Sequence, residues 1–253
     1  MNIDIITLFP EMFSALKHGV IDRAFQNQLL QCHFWNPRQF TEDTHNSVDD
    51  RPYGGGPGMV MTYQTLAKAI NAAKNRQNST SEVIHLSPQG QPLSQSLLAD
   101  LSQASGLILL CGRYEGIDER LLNDHVDREI SIGDYVVSGG ELPCMVLIDA
   151  LARLLPGVLG HEESAWQDSF TDGLLDHPHY TRPRTQNGQK VPEILLSGNH
   201  KAIKRWRLQQ SLGKTWQKRP DLLKRRPENQ QEQALLEDYI NNITQTHEDN
   251  QHE

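Results

Sequence analysis

Apolar side chains fall along the chain in two rhythms, and the change from one to the other marks the elements. NIDIITLF at the start is Ile-rich and alternating, which predicts a strand. Phe13, Leu16, Val20 and Ala24 then recur at helical spacing behind Pro10, a residue suited to opening a helix, so PEMFSALKHGVIDRAFQNQLL is expected to be helical. LQCHFWNPRQF is expected as a second strand, SVDDRPYGGGPGMVM as a loop, and TYQTLAKAINAAKNR as a helix capped by Thr62. EVIHLS, GLILLC and EISIGDYVVS are three apolar runs of strand length, separated by helical stretches at SQSLLADLSQ and IDERLLNDH. The helix ELPCMVLIDALARLL follows Gly140. Strands alternating with helices predict an α/β fold with a parallel sheet covered on both faces.

After Pro156 the rhythm dissolves. GVLGHEESAWQDSFTDGLLDHPHYTRP has no sustained period and many Gly, Asp, His and Pro residues, so a linker or lid is expected. GNHKAIKRWRLQQSLGKTWQKRPDLLKRR and ENQQEQALLEDYINNI return to helical spacing and predict a small helical C-terminal domain. The expected layout is one large domain over 1–160, a linker or lid over 161–175, a helical domain over 176–246 and a disordered tail over 247–253.

Composition refines this picture. A chain of 253 residues can bury a large core, and 37% hydrophobic with 22% charged residues is ordinary for a globular protein. The net charge of -8 hides an asymmetry: residues 1–160 carry 11 Lys/Arg against 18 Asp/Glu, whereas Gly198 to Arg226 carries ten basic residues and one acid, Asp221. A basic island in an acidic chain points to a polyanion held at one place. Cys32, Cys111 and Cys144 leave one thiol unpaired under any pairing, which suits a reducing compartment. The start lacks the basic segment and cleavage site of a signal peptide, and the apolar stretch Leu142 to Leu159 is interrupted by Asp149, Arg153 and Pro156. A cytoplasmic protein is expected.

In an open α/β sheet, ligands bind beyond the C-terminal ends of the strands. HLSPQGQPL, CGRYEGID and IGDYVVSGGE all stand at such ends. One glycine loop alone reads as an ordinary turn, but three together suggest a pocket that a ligand approaches along bare backbone. No phosphate-binding signature is present, and Glu115 and Asp134 would repel a pyrophosphate. Tyr114 and Tyr135 suit a purine ring and Glu115 a cationic centre, a combination that points to S-adenosylmethionine. RPYGGGPGMVM is either a surface loop or a site where free main-chain N–H groups and Arg51 meet an anion or a base. Asp168, in AWQDSF, is a candidate acid–base group. Arg153 at a helix end is a second, although a helix dipole alone would account for it. HPHY makes no H-E-x-x-H and the cysteines lie in apolar runs, so neither a metal site nor a cysteine nucleophile is expected. Trp206 and Trp216 interleave with the basic island, as in surfaces that pair with phosphates and stack on unpaired bases, or as in an amphipathic helix with tryptophans in its core.

MNIDIITLFPEMF, RPYGGGPGMVM, LSPQG, CGRYEGIDER, EISIGDYVVSGGELP, IDALARLLPGVLG, GLLDHPHYTRP and VPEILLSGNHKAIKRWR together resemble the bacterial tRNA (guanine-N1)-methyltransferase family, from residue 1 to about residue 225. The resemblance implies a SPOUT-class fold with a deep trefoil knot, a homodimer whose active sites are shared between subunits, and tRNA as substrate. It implies methyl transfer from S-adenosylmethionine to N1 of the guanine just 3′ of the anticodon. Ser87, Pro88, Gly90, Gly112, Tyr114, Glu115, Ile132, Gly133, Tyr135, Val137, Gly139 and Gly140 match the family's cofactor loops. Asp168 matches its general base and Arg153 the partner of that base, with Asp176 and His179 as secondary contacts. Arg51, Lys201, Lys204, Arg205 and Arg207 are the expected RNA contacts. Magnesium assists similar enzymes, but no ligand set for it is visible in the sequence. A SPOUT enzyme acting on ribosomal RNA and a non-catalytic RNA-binding protein are the alternatives.

Overall fold

The structure is a computed structural model that describes residues 1–77, 81–159, 168–227 and 229–249, with side chains described as far as residue 245. The chain divides into two compact units, Met1–Glu162 and Glu163–Glu253. In the first, five strands form one parallel sheet: β1 (Asn2–Ile6), β2 (Gln31–Trp35), β5 (Glu82–Pro92), β6 (Gly106–Cys111) and β7 (Arg128–Ser131), in the spatial order β2-β1-β6-β5-β7. A two-residue pair, β3 (Asp49–Asp50) with β4 (Val60–Met61), brackets the glycine-rich loop. Every residue of β6 is buried, because helices cover both faces of the sheet and leave no side for alternation. One core layer holds Ile3, Ile5, Leu107 and Leu109 against α1 (Val20–Gln26), α3 (Gln95–Leu101) and α5 (Glu141–Ala152). The other holds Ile6, Val83, Ile108 and Leu110 against α2 (Tyr63–Arg76) and α4 (Glu119–His125).

Four local readings of the sequence change. The single helix expected after Pro10 is a 3-10 helix, Pro10–Lys17, followed by α1, because Gly19 at φ +72° takes a left-handed conformation that a helix cannot contain. Thr62 stands at the N-cap of α2 without capping it, since its hydroxyl donates to the Val48 carbonyl at 3.3 Å and meets the Thr65 hydroxyl. β7 ends at Ser131, so residues 132–140 leave the sheet instead of extending it. β5 runs to Pro92, and its register against β7 jumps: Leu86 and Gln91 both pair with Ile130. Residues 87–90 therefore stand out from the strand as a loop.

In the second unit, β8 (Thr185–Gln186) and β9 (Gln189–Lys190) make a hairpin. The helices α6 (Glu193–Leu196), α7 (His200–Lys218), α8 (Pro220–Leu223) and α9 (Gln230–Asp249) follow. The Asn199 side chain caps α7 by accepting from the Ala202 amide at 3.2 Å, and Pro220, which cannot donate to the preceding turn, separates α7 from α8. The core is small: Leu174, Leu212 and Leu235, with Leu208, Leu223 and Leu236 around them. Residues 168–175 of the expected lid pack within this unit. The Phe170 amide donates to the Leu174 carbonyl at 2.7 Å, and the Leu175 amide to the Thr215 hydroxyl at 2.9 Å. Residues 161–167 of that lid, and 250–253 of the expected tail, lie outside the described residues. Among the described residues no helix is long and apolar enough to cross a membrane.

Candidate functional site

Beyond the C-terminal ends of β5, β6 and β7 lies a cleft of about 370 Å³, a size suited to a small-molecule ligand. Three segments wall it: the loop that the register jump expels from β5, residues 112–117 after β6, and residues 130–140 after β7. Eleven of the twelve residues expected at the cofactor line it: Ser87, Pro88, Gly112, Tyr114, Glu115, Ile132, Gly133, Tyr135, Val137, Gly139 and Gly140. Gly90 lies outside the lining; a Cβ there would run into the backbone of Glu129 and Ile130, so its smallness serves the packing of β5 on β7.

The walls are held by main chain at close range. The Gly140 amide donates to the Gly112 carbonyl at 2.9 Å, and a Cβ on Gly140 would lie 2.7 Å from Cys111 Cα. Tyr114 sits at φ +60°, a left-handed conformation that costs a non-glycine residue about 1 kcal/mol. Arg113 ties the same two loops by side chain. Its Nε donates to Glu141 Oε2 at 2.8 Å and its Nη1 to the Ser138 carbonyl at 3.1 Å, while its guanidinium lies 4.5 Å over the Phe9 ring. Glu141, fully buried, also accepts from the Thr7 hydroxyl at 2.8 Å. Neither Arg113 nor Glu141 was singled out from the sequence, where each looks like one more charge near a glycine.

Among the described residues the lining contains one Lys or Arg side chain, Arg113, already engaged by Glu141, against Glu115, Glu119 and Glu129. A phosphate would find no spare cation and three carboxylates. A nucleoside with a cationic centre fits, with main-chain N–H and C=O groups on one side and Glu115 on the other. His85 forms part of the wall, its Nδ1 3.2 Å from the Leu110 carbonyl, and burial pushes its pKa below the ordinary value. Burial, together with Asp49, raises the pKa of Tyr114 and keeps its phenol protonated. The glycine-rich loop is fixed to this cleft: the Glu115 amide donates to the Met59 carbonyl at 3.0 Å and the Met61 amide to the Gly116 carbonyl at 2.9 Å. Arg51 is exposed on that loop and lines a neighbouring open groove.

Arg153 caps α5 in the first unit. Asp168 belongs to the second, where it lines a separate cleft of about 650 Å³ with Asp172, Asp176, His177, His200, Lys204 and Arg207. Lys201, Lys204, Arg205 and Arg207 are all exposed on α7, and Arg205 lies 3.9 Å from Asp238. Asp176 Oδ2 lies 2.7 Å from His179 Nε2, and Asp176 Oδ1 lies 2.6 Å from His177 Nδ1. Burial pushes the Asp176 carboxyl up, but hydrogen bonds from His179 and from the His177 amide outweigh it and hold the group below its usual range. Burial pushes His177 down, against the pull of Asp176. The Asp176–His177–His179 grouping went unrecognised in the sequence because it follows no familiar metal spacing.

An open five-stranded parallel sheet with a cleft at its strand ends places the first unit in the α/β class, and the helical second unit carries its excess positive charge on the 198–226 segment alone. Comparison narrows this: a family profile for tRNA (Guanine-1)-methyltransferase TrmD matches residues 1–225, and the chain belongs to that family. The tRNA (guanine-N(1)-)-methyltransferase of Coxiella burnetii (strain Dugway 5J108-111) is 61% identical over 238 residues, 94% of this chain and 97% of the relative. That of Nitrosospira multiformis is 59% identical over 246 residues, covering 94% and 96%, and that of Aeromonas salmonicida 58% over 244 residues, covering 96% and 98%.

Proposed function

We propose that this chain methylates N1 of the guanine immediately 3′ of the tRNA anticodon, using S-adenosylmethionine, and that it works in the cytoplasm as a homodimer with active sites shared between subunits. The observation that carries this reading is the cleft in a chain of this family: glycines and main chain form part of its wall, and among the described residues its one arginine is already paired while its acids are Glu115, Glu119 and Glu129. When bound, the cofactor supplies an electrophilic methyl group on a sulfonium that departs as a neutral thioether. Residues 132–140 hold the adenine edge by backbone groups, and Tyr114 and Glu115 close the other side. Asp168 accepts the proton from guanine N1 as the N1–methyl bond forms, without which N1 is a poor nucleophile. Arg153 stabilises the negative charge that builds on O6. Lys201, Lys204, Arg205, Arg207 and Arg51 hold the RNA backbone.

A SPOUT knot is part of the same reading. It is supported by the path of the chain, which leaves the edge strand β7, passes the end of β5 and bonds Gly140 to Gly112 at the end of β6. Dimerisation is supported by α5, apolar on nearly every side: Leu142 and Val146 remain 45% and 48% exposed, and Val136 in the preceding loop 85%.

Single-turnover methyl transfer to tRNA tests the role assignment. Asp168→Ala and Arg153→Ala should each slow transfer by about 100-fold or more, while affinity for S-adenosylhomocysteine stays within about threefold. Equal losses of rate and affinity would remove Asp168 and Arg153 from these roles. Equal methylation of transcripts with and without the target guanine would overturn the substrate.

A further inference from the structure

From the side chains gathered by the DHPH turn, we infer that Asp176, His177 and His179 form a binding site for one borderline-soft dication of the zinc class. The ligand set is one carboxylate and two imidazoles, whose donor atoms all lie within 4.8 Å of one another. Imidazole nitrogen suits Zn²⁺, Co²⁺ and Ni²⁺, whereas Mg²⁺ demands oxygen ligands, so this site is distinct from any magnesium requirement. In a tetrahedral zinc site, neighbouring nitrogen ligands sit about 3.3 Å apart. The donor atoms, all within 4.8 Å of one another, are a little wider than this and would draw together around an ion. The two ring centroids lie 4.5 Å apart with the planes tilted by 48°, and each ring turns a nitrogen toward the same carboxylate.

The turn is held in place before any ion arrives. The Asp176 amide donates to the Ser169 hydroxyl at 3.0 Å, and the preceding Leu175 amide is tied to Thr215 on α7. Pro178 fixes the backbone between the two histidines. Three protein ligands leave room for water or an RNA oxygen in the remaining positions. Asp176 and His177 line the same cleft as Asp168, so a bound dication would change the charge beside that carboxylate. None of this depends on the methyl-transfer reading.

Co²⁺ is the probe, because its visible absorption reports imidazole–carboxylate coordination directly. The full chain, stripped with a chelator, should bind one Co²⁺ saturably, and Zn²⁺ should bleach the signal by displacement. His177→Ala should weaken binding by roughly tenfold or more. A His247→Ala/His252→Ala variant, which removes the histidines near the C-terminus, should titrate like the unaltered chain. If His177→Ala fails to fold by circular dichroism, His177→Gln replaces it. Absence of saturable absorption, or identical titration of the unaltered chain and a folded His177 variant, would overturn the site.

Discussion

The cleft at the strand ends and the basic face of α7 solve opposite problems with opposite materials. The cleft is shaped in part by glycine loops and close main-chain contacts, and its one arginine is held by a buried carboxylate. The face of α7 presents Lys201, Lys204, Arg205 and Arg207 to solvent. A wall made of backbone selects a ligand through close approach and is less sensitive to salt than one made of exposed charges. A surface made of long charged side chains attracts any polyanion and is screened by ions.

Breaking the clamp at the cleft should have the largest effect. Glu141→Ala leaves Arg113 and Thr7 without their buried partner and should cost about 3–5 kcal/mol in urea denaturation, with loss of S-adenosylhomocysteine binding. A loss below about 1 kcal/mol would mean that the two loops hold their spacing without the clamp. Next, replacing Lys201, Lys204 and Arg205 together by Ala should reduce the slope of log affinity for tRNA against log salt by roughly two to three, at about 0.7–0.9 per phosphate contact. Cofactor-analogue affinity should not move, and an unchanged slope would take the RNA away from α7. The smallest effect concerns His85. Its folded pKa is pushed below the ordinary value, so between the two the unfolded chain holds more protons, and stability falls as pH drops through the ordinary value near 6.5. His85→Gln should flatten that part of the decline in melting temperature between about pH 7 and about pH 5.5. An undiminished slope would show that other groups produce it.

Legibility in the sequence tracked the range of the interactions involved. The strands GLILLC and NIDII and the helix Tyr63–Arg76 were readable because their periodicity is local. The three glycine loops were readable as a potential pocket because parallel strands place their ends on one edge. The helix expected across His18–Gly19 failed on one backbone angle. The Leu86/Gln91 register jump was invisible, since it arises from pairing with β7 more than 35 residues onward. Arg113 and Glu141 were missed for the same reason: they are separated by 28 residues, and only the return of residues 132–140 to the end of β6 brings them together.

The sequence by itself determined the alternation of strands and helices, the bare loops at the strand ends, the concentration of positive charge after Gly198 and membership in a family. Each of these is carried by neighbouring residues or by composition. Only the tertiary structure decided that eleven of those loop residues share one cleft while Gly90 packs behind it, that the cleft's arginine is occupied, and that Asp176 draws two histidines onto one carboxylate. Those outcomes depend on which distant backbone segments touch, and contact between distant segments is fixed by the packing of the whole core.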